Sequence, residues 1–346
     1  VITESFAPHH PELLIDLVLP ESPAPAGGWP VIVWLHGGGW RLQDRTARPD
    51  FRIHFAVAGF AMASIDYRLA PAHPHPAQVL DLRQALRWLR RNAERFGLDA
   101  EAIGLWGSSA GSHIAAFTAL SAEVAILGDE RIPAGFQRFG THVSCVVDGY
   151  GPTLIEPLLP AFDPARIAAA DLRSTPEEDL LGGPATSASE DRKIRERARA
   201  ASPALLDLPE SGSASFSTAG LDPATTSDRD PNSNRGRRVP PPFLIMHGTA
   251  DTAVGSEQSA TLHERLSAAG GESLLCLIDG FGHGFLNPGE VLELGPGVVL
   301  DNGRLEAEPD APCVFDNRGG FAPRQDSASF DLIHDFFVHH LKKGRS

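Results

Sequence analysis

Short apolar blocks recur along the chain at Leu13 to Leu19, Val31 to His36, Phe60 to Asp66, Ala102 to Trp106, Val143 to Asp148, Phe243 to His247 and Leu274 to Ile278. Blocks of this length, rich in Val, Ile, Leu and Phe, predict strands. Between them stand segments with a helical repeat. In Ala77 to Arg95 the apolar residues Leu82, Ala85, Leu86 and Leu89 share one face and Arg and Asp take the other, which predicts an amphipathic surface helix. Ala110 to Leu120, Ser256 to Ala269 and Ser329 to Leu341 read likewise as helices, the second stopped by Gly270-Gly271. Strands alternating with helices predict an α/β fold with a mostly parallel central sheet flanked by helices. No internal repeat is visible.

Two stretches break the rhythm. Pro209 to Arg238 is rich in Ser, Pro, Asp, Asn and Thr with almost no large apolar residue. Such a segment cannot offset its ordering entropy by burial, so residues 209–238 read as a mobile loop insertion. Asn287 to Arg324 is also irregular but keeps Val, Leu and Phe residues. Because it leaves the chain at the rim where parallel strands end, residues 287–324 read as a rim or lid insertion on a single domain spanning 1–346.

Composition narrows the function classes. A chain of 346 residues, 42% of them hydrophobic, is long enough to bury one large core on both faces of a sheet. Its formal charge of −14, with Lys and Arg scattered, argues against nucleic acid or an anionic membrane surface as partner. No apolar run approaches the roughly 20 residues that cross a bilayer. The expected partners are a small-molecule substrate and, at most, a second copy of the chain in a homodimer. Cys145, Cys276 and Cys313 form an odd set without metal or redox spacing, and the first two lie inside strand blocks as buried thiols. No leader pattern opens the sequence, which favours a cytoplasmic location, although a chain beginning at Val1 leaves secretion open.

The strongest chemical signal is Gly107-Ser108-Ser109-Ala110-Gly111, a GxSxG run between a strand block and a helix. A strand-to-helix turn this tight needs small flanking residues and lifts the central hydroxyl above the sheet edge. Ser109 is therefore the candidate nucleophile, and Ser108 holds the wrong motif position. Upstream, His36-Gly37-Gly38-Gly39-Trp40 follows directly on a strand block. Its glycines let backbone N–H groups approach an oxyanion, and a phosphate loop would need a different pattern. The N–H groups of Gly38, Gly39 and Ala110 are the candidate oxyanion hole, with His36 bracing the loop.

These runs, with Asp66-Tyr67-Arg68-Leu69-Ala70-Pro71, Asp148-Gly149-Tyr150-Gly151-Pro152, His247-Gly248-Thr249-Ala250-Asp251 and Gly282-His283-Gly284-Phe285, stand in one order along the chain. Together they resemble the α/β-hydrolase esterases of the hormone-sensitive-lipase-like and bacterial feruloyl or acetyl esterase (BD-FAE-like) group. The sequence departs from that pattern at Ser112, where many relatives have a second glycine, and at Ala72. The resemblance implies a carboxylesterase acting through an acyl-enzyme, with chain order Ser, Asp, His. Asp251 then takes the acid role and His283 the base role; Asp279 lies too near His283 along the chain to be its expected partner. Trp40, Phe281 and Phe285 flank these loops as candidate walls of an acyl or aryl pocket, or equally as core. Asp66, Arg68 and Asp81 read as a bracing network, and His73, His75, His339 and His340 as loop and surface residues rather than metal ligands. No cofactor and no metal is called for. The alternatives are amide chemistry, as in an arylformamidase or peptidase, and a hydrolase-like protein that binds a ligand without turnover.

Overall fold

The computed structural model describes residues 1–122, 124, 126–163, 174–208, 239–287 and 300–342. Its sheet has ten strands: β1 (Ile2–Ser5), β2 (Leu14–Val18), β3 (Trp29–Leu35), β4 (Ala61–Ile65), β5 (Leu98–Ser108), β6 (Cys145–Gly149), β7 (Phe243–Gly248), β8 (Ser273–Ile278), β9 (Ala311–Arg318) and β10 (Ser327–Ala328). They lie in the order β1-β2-β4-β3-β5-β6-β7-β8-β9-β10. The six strands from β4 to β8 in that order run parallel, and antiparallel pairs extend both ends.

Both faces of the parallel region are covered, so its strands are apolar throughout. Along β3, Val31, Val33 and Leu35 enter one core. Ile32 and Trp34 enter the other, where Trp34 meets Trp106 edge-on at 4.7 Å. The first face carries the helices α2 (Ala77–Arg91), α4 (Ala110–Leu120) and α7 (Glu257–Ala268). The second carries α1 (Phe51–His54) and α9 (Phe330–Phe337). The remaining α-helices among the described residues are α3 (Ala93–Phe96), α5 (Pro176–Leu180), α6 (Ala188–Ala200) and α8 (Arg304–Ala307).

Three expectations change. The chain from Ala311 to Arg318 is a strand paired in register with β8, where an irregular stretch was expected. Val291, Leu292, Leu294, Val298 and Val299 of that stretch, and all of 209–238, lie outside the described residues. Helix α2 is not a surface helix, since its polar face is buried as well as its apolar one. Asp81 receives Arg68, Glu130 receives both Arg83 and Arg87, and Arg90 donates to the carbonyls of Gly140 and His142. His75 is not a surface residue either: its ring packs edge-on to Phe117 at 4.8 Å. His339 and His340 are half-buried, against Phe321.

The strand order fixes where loops can meet. From β3 the chain moves to β4 on one side and then returns to β5 on the other. Such a reversal opens a crevice at the carboxyl ends of the two strands, between the loop that follows β3 and the one that follows β5.

Candidate active site

That crevice holds both glycine-rich motifs. At the end of β5 the backbone turns at Ser109 with φ 52° and ψ −119°, and α4 starts at the next residue. A residue with a Cβ is strained there by about 1–3 kcal/mol, a cost met only where the surroundings over-determine the turn. Here they do. A Cβ on Gly107 would stand 2.4 Å from Ser112 N, and one on Gly111 would stand 2.1 Å from Leu35 O. Ser109 N–H donates to Gly149 O at 2.8 Å, tying the turn to β6. Ser112 adds to this anchor where a glycine could not: its hydroxyl donates to Gly149 O and accepts from Gly149 N, at 3.1 and 2.9 Å.

The glycine loop after β3 packs directly on the turn. A Cβ on Gly37 would meet Ser108 Oγ at 3.1 Å, so the loop lies against the turn at Ser108 and Ser109. Gly38, Gly39 and Trp40 all have positive φ, and Gly38 O accepts from the N–H groups of Arg41 and Leu42. Among the described residues, no hydrogen bond within the chain takes up the N–H groups of Gly38, Gly39 or Ala110. Behind the loop, Tyr67 stacks on His36 at 4.2 Å and its hydroxyl donates to the carbonyls of His36 and Gly37. His36 is thus a brace. Asp66 and Arg68 do not pair with each other as expected; Asp66 holds Arg45 and Leu14 N, while Arg68 holds Asp81.

Asp251 and His283 arrive from the ends of β7 and β8. Ser109 Oγ lies 2.8 Å from His283 Nε2, and His283 Nδ1 lies 2.6 Å from Asp251 Oδ2. The tautomer with hydrogen on Nδ1 satisfies both contacts, Ser109 donating to the imidazole and the imidazole donating to Asp251. Asp251 Oδ1 accepts from the N–H groups of Ala253 and Val254, and Oδ2 also stands 3.3 Å from His247 Nε2. Burial alone would raise its pKa, but the hydrogen bonds from His247 and His283 outweigh it and hold the carboxyl well below its usual range. Ser109 remains 7% exposed, open to a small reactant.

The three candidate pocket walls are all buried. Trp40, Phe281 and Phe285 are 1%, 1% and 0% exposed, so they brace loops from within and present no open surface. Trp40 Nε1–H donates to His113 Nδ1 at 3.1 Å. Phe281 packs on Phe285 and beneath the Arg304 guanidinium, and Phe285 packs on Tyr150.

Residues that sequence reading passed over hold the His283 loop. Asn287 Oδ1 accepts from Ser108 Oγ at 2.8 Å, linking that loop to the serine turn. Tyr150 rests edge-on to the His283 ring at 4.7 Å, and its hydroxyl accepts from Leu286 N. Leu300 bridges to His283, Asp301 N–H donates to His283 O, and Gly282 N–H donates to Asp301 Oδ2. Arg304 closes the clasp on Asp301 and Gly280 O. Tyr150 belonged to a quoted motif; for Asn287, Asp301 and Arg304 no sequence signal existed. Asn287→Ala is expected to lower kcat about tenfold with little change in KM, because it loosens the approach of His283 to Ser109 without touching a reactant. Steady-state kinetics of Asn287→Ala, Ser108→Ala and the double variant check this. The double variant should be no slower than Asn287→Ala, and additive losses would break the link.

Two buried histidines beside the site set an acid limit. His36 and His113 are each pushed down to about 4 by burial. His113 Nδ1 already accepts from Trp40 while Nε2 donates to Ala201 O, so a second ring proton would face another donor. Their folded values lie below the unfolded value of 6.5, so the unfolded chain takes up more protons and stability falls as pH drops from about 6.5 to 4. Each unit of separation is worth about 1.4 kcal/mol. Asp148, which burial pushes up to about 6, acts in the opposite direction between 3.8 and 6, but it stands against these two and His75, which burial pushes down to about 3. Urea unfolding at pH 7, 6 and 5 should show a steady loss; a flat profile would mean that both histidines are protonated in the folded protein.

Among the described residues, no group of three or more His, Cys, Asp or Glu is placed to hold a metal ion. No helix among them is long and apolar enough to cross a membrane. Cys145, Cys276 and Cys313 are free thiols, the first two buried.

Comparison with known proteins bears on this site. The family model described as BD-FAE matches residues 15–204. That of the prolyl oligopeptidase family matches residues 215–293. Esterase LipC of Mycobacterium tuberculosis is 30% identical over 77% of this chain and 54% of its own length. Carboxylesterase NlhH of the same organism is 46% identical over 26% of this chain and 28% of its own length. The chain therefore spans about half, or less, of the length of these curated relatives. A truncated carbohydrate esterase from gut microbiota superposes with a TM-score of 0.60 at 24% identity, covering 82% of this chain and 89% of that one. The butyrate-bound esterase 2 of Thermogutta terrifontis does so with a TM-score of 0.57 at 22% identity, covering 84% and 88%. At such identities the structural likeness is one of fold, and the fold is that of the α/β hydrolases.

Proposed function

The chain belongs to the BD-FAE family, and from that premise we propose that it is a serine carboxylesterase working through an acyl-enzyme on small esters. The observation that carries this reading is the hydrogen-bonded sequence Ser109, His283, Asp251, set beside a glycine loop in which the N–H groups of Gly38 and Gly39 find no acceptor among the described residues. In the proposed mechanism His283 Nε2 accepts the Ser109 proton as Oγ bonds to the ester carbonyl carbon. The carbonyl oxygen becomes an oxyanion held by the N–H groups of Gly38, Gly39 and Ala110, the last at the positive end of α4. The tetrahedral centre collapses, the C–O bond to the alcohol breaks, and His283 returns its proton to the departing oxygen. Water then loses a proton to His283, adds to the acyl carbon, and releases the acid and free Ser109. Throughout, Asp251 keeps the imidazole in the tautomer that accepts at Nε2 and stabilises the imidazolium.

A second reading is amide or peptide hydrolysis, because the same groups attack both carbonyls. It is favoured by the prolyl oligopeptidase match over the part of the chain that contains Asp251 and His283. A panel of p-nitrophenyl esters of graded chain length, feruloyl esters, N-formyl aryl amides and peptide anilides separates the two. Turnover on esters well above that on amides is expected, and amide turnover without ester turnover would replace the first reading by the second.

A further inference from the structure

We infer that His247 is a positioning residue for the proposed reaction, a second imidazole that fixes the carboxylate of Asp251 independently of His283. Its role presupposes that Ser109, His283 and Asp251 are the reacting groups, as proposed above. His247 stands four residues before Asp251, in the last turn of chain that belongs to β7, and is fully buried. Its Nε2 faces two acceptors, Val254 O at 2.8 Å and Asp251 Oδ2 at 3.3 Å. A ring nitrogen between two acceptors must carry hydrogen. Nδ1 is then the accepting nitrogen, and the hydroxyl of Ser259, buried on α7, donates to it at 2.6 Å. Ser259 thereby holds His247 in the tautomer that points its N–H at the acid loop.

The backbone around Asp251 is already fixed without this ring. Thr249 and Ala250 donate to Ile278 O and Phe281 O at 2.9 Å, and a Cβ on Gly248 would stand 2.1 Å from Phe281 O. These contacts tie the loop after β7 to the His283 loop, but they leave the carboxylate free to turn. Its Oδ1 is held by the N–H groups of Ala253 and Val254, and its Oδ2 is shared by His283 Nδ1 and His247 Nε2. Of the two imidazoles, His283 exchanges protons with Ser109, the alcohol and water during the proposed cycle. His247 is fully buried and meets no reactant. By holding Val254 O as well as Oδ2, its one N–H steadies both ends of the carboxylate. A buried carboxylate oxygen left short of a donor is costly, and a small displacement of a catalytic group costs much in rate.

The test is kcat per active site, with active sites counted by fluorophosphonate labelling, in His247→Leu and His247→Gln. Leucine fills the space without a donor, whereas the amide of glutamine reaches the position of Nε2. His247→Leu is expected to lose about tenfold in kcat with KM nearly unchanged, and His247→Gln to recover most of that loss. In an Asp251→Asn background His247→Leu should cost almost nothing further, because the carboxylate through which it acts is gone. An unchanged kcat per site in His247→Leu, an equal loss in both variants, or the same loss in the Asp251→Asn background overturns the inference. Should His247→Leu fail to fold, His247→Asn takes its place, since its shorter amide stops near the position of Nδ1. Wild-type protein that turns over no ester would sink the functional reading separately. The placement of Asp251 is then read from the low-field proton resonance of His283 Nδ1–H, identified by its loss in Asp251→Ala. It should broaden in His247→Leu and persist in His247→Gln, and a resonance unchanged in both would overturn the inference on its own.

Discussion

Ser109→Ala is expected to lower kcat for p-nitrophenyl acetate by roughly 10⁶-fold and to abolish labelling by fluorophosphonates, while the protein stays folded. The substitution deletes one oxygen, whose partner within the chain is His283 Nε2 at 2.8 Å. Everything that shapes the turn is left in place: the bond from Ser109 N to Gly149 O, the close approaches at Gly107 and Gly111, and the Ser112 anchor. Alanine bears the same φ of 52° as serine, so the strain is unchanged and the melting temperature should move little. Ser109→Gly makes a useful second variant. It removes the same hydroxyl but also relieves the positive φ, so it should be equally inactive and melt higher than Ser109→Ala. Labelling that survives in both would place the nucleophile elsewhere. Ser108 is poorly suited to that role, because its hydroxyl is buried and already donates to Asn287.

What the sequence revealed depended on burial. Six of the seven strand blocks were legible because parallel strands covered on both faces are apolar at almost every position, as at Val31 to Leu35, and the seventh, β2, is antiparallel but buried along most of its length. The outer strands lack that signal. In β9 buried and exposed positions alternate and then give way to exposed ones, and Asp316, Asn317 and Arg318 read as loop. Helix α2 misled in the other direction. Its arginines mark a solvent face by composition, but Glu130 and the carbonyls of Ser121, Val124, Gly140 and His142 come from distant parts of the chain to meet them. The same contrast holds at the site. Ser109 and His283 stood out in the sequence because each lies after a strand block among glycines, and Asp251 because it follows another strand block in the chain order that the resemblance implies. Asp301 and Arg304 act through backbone bonds or ion pairs to the His283 loop and Asn287 through a side-chain bond to Ser108, and such bonds leave no pattern in residue types. Trp40, Phe281 and Phe285 sit beside the expected loops in sequence, but adjacency does not say which way a ring points.

Asp251→Asn tests the electrostatic half of the proposed mechanism with the least change of shape. The amide oxygen can take over the bonds from Ala253 and Val254 that Oδ1 now accepts, so the loop after β7 should hold its conformation. The NH₂ group then faces His283 Nδ1 at the position where Oδ2 stands 2.6 Å away. A donor at that position forces Nδ1 to accept, which moves the ring hydrogen to Nε2, the atom that must accept the Ser109 proton. The imidazole is left in the wrong tautomer and the imidazolium without its counter-charge. A fall in kcat of about 10⁴ is expected on this ground, with KM nearly unchanged because the substrate does not meet Asp251. The second histidine at this carboxylate adds a structural cost, since His247 Nε2, 3.3 Å from Oδ2, loses an anionic neighbour; its bond to Val254 O at 2.8 Å remains. The melting temperature should therefore drop by a few degrees without loss of cooperativity. Asp251→Ala separates the two effects, because it removes the wrong donor along with the acid and leaves Ala253 and Val254 N–H unmatched, so it should be less stable than Asp251→Asn. If Asp251→Asn retains ester turnover within tenfold of the wild type, Asp251 does not set the tautomer of His283, and the acid of the reaction must be sought at another carboxylate.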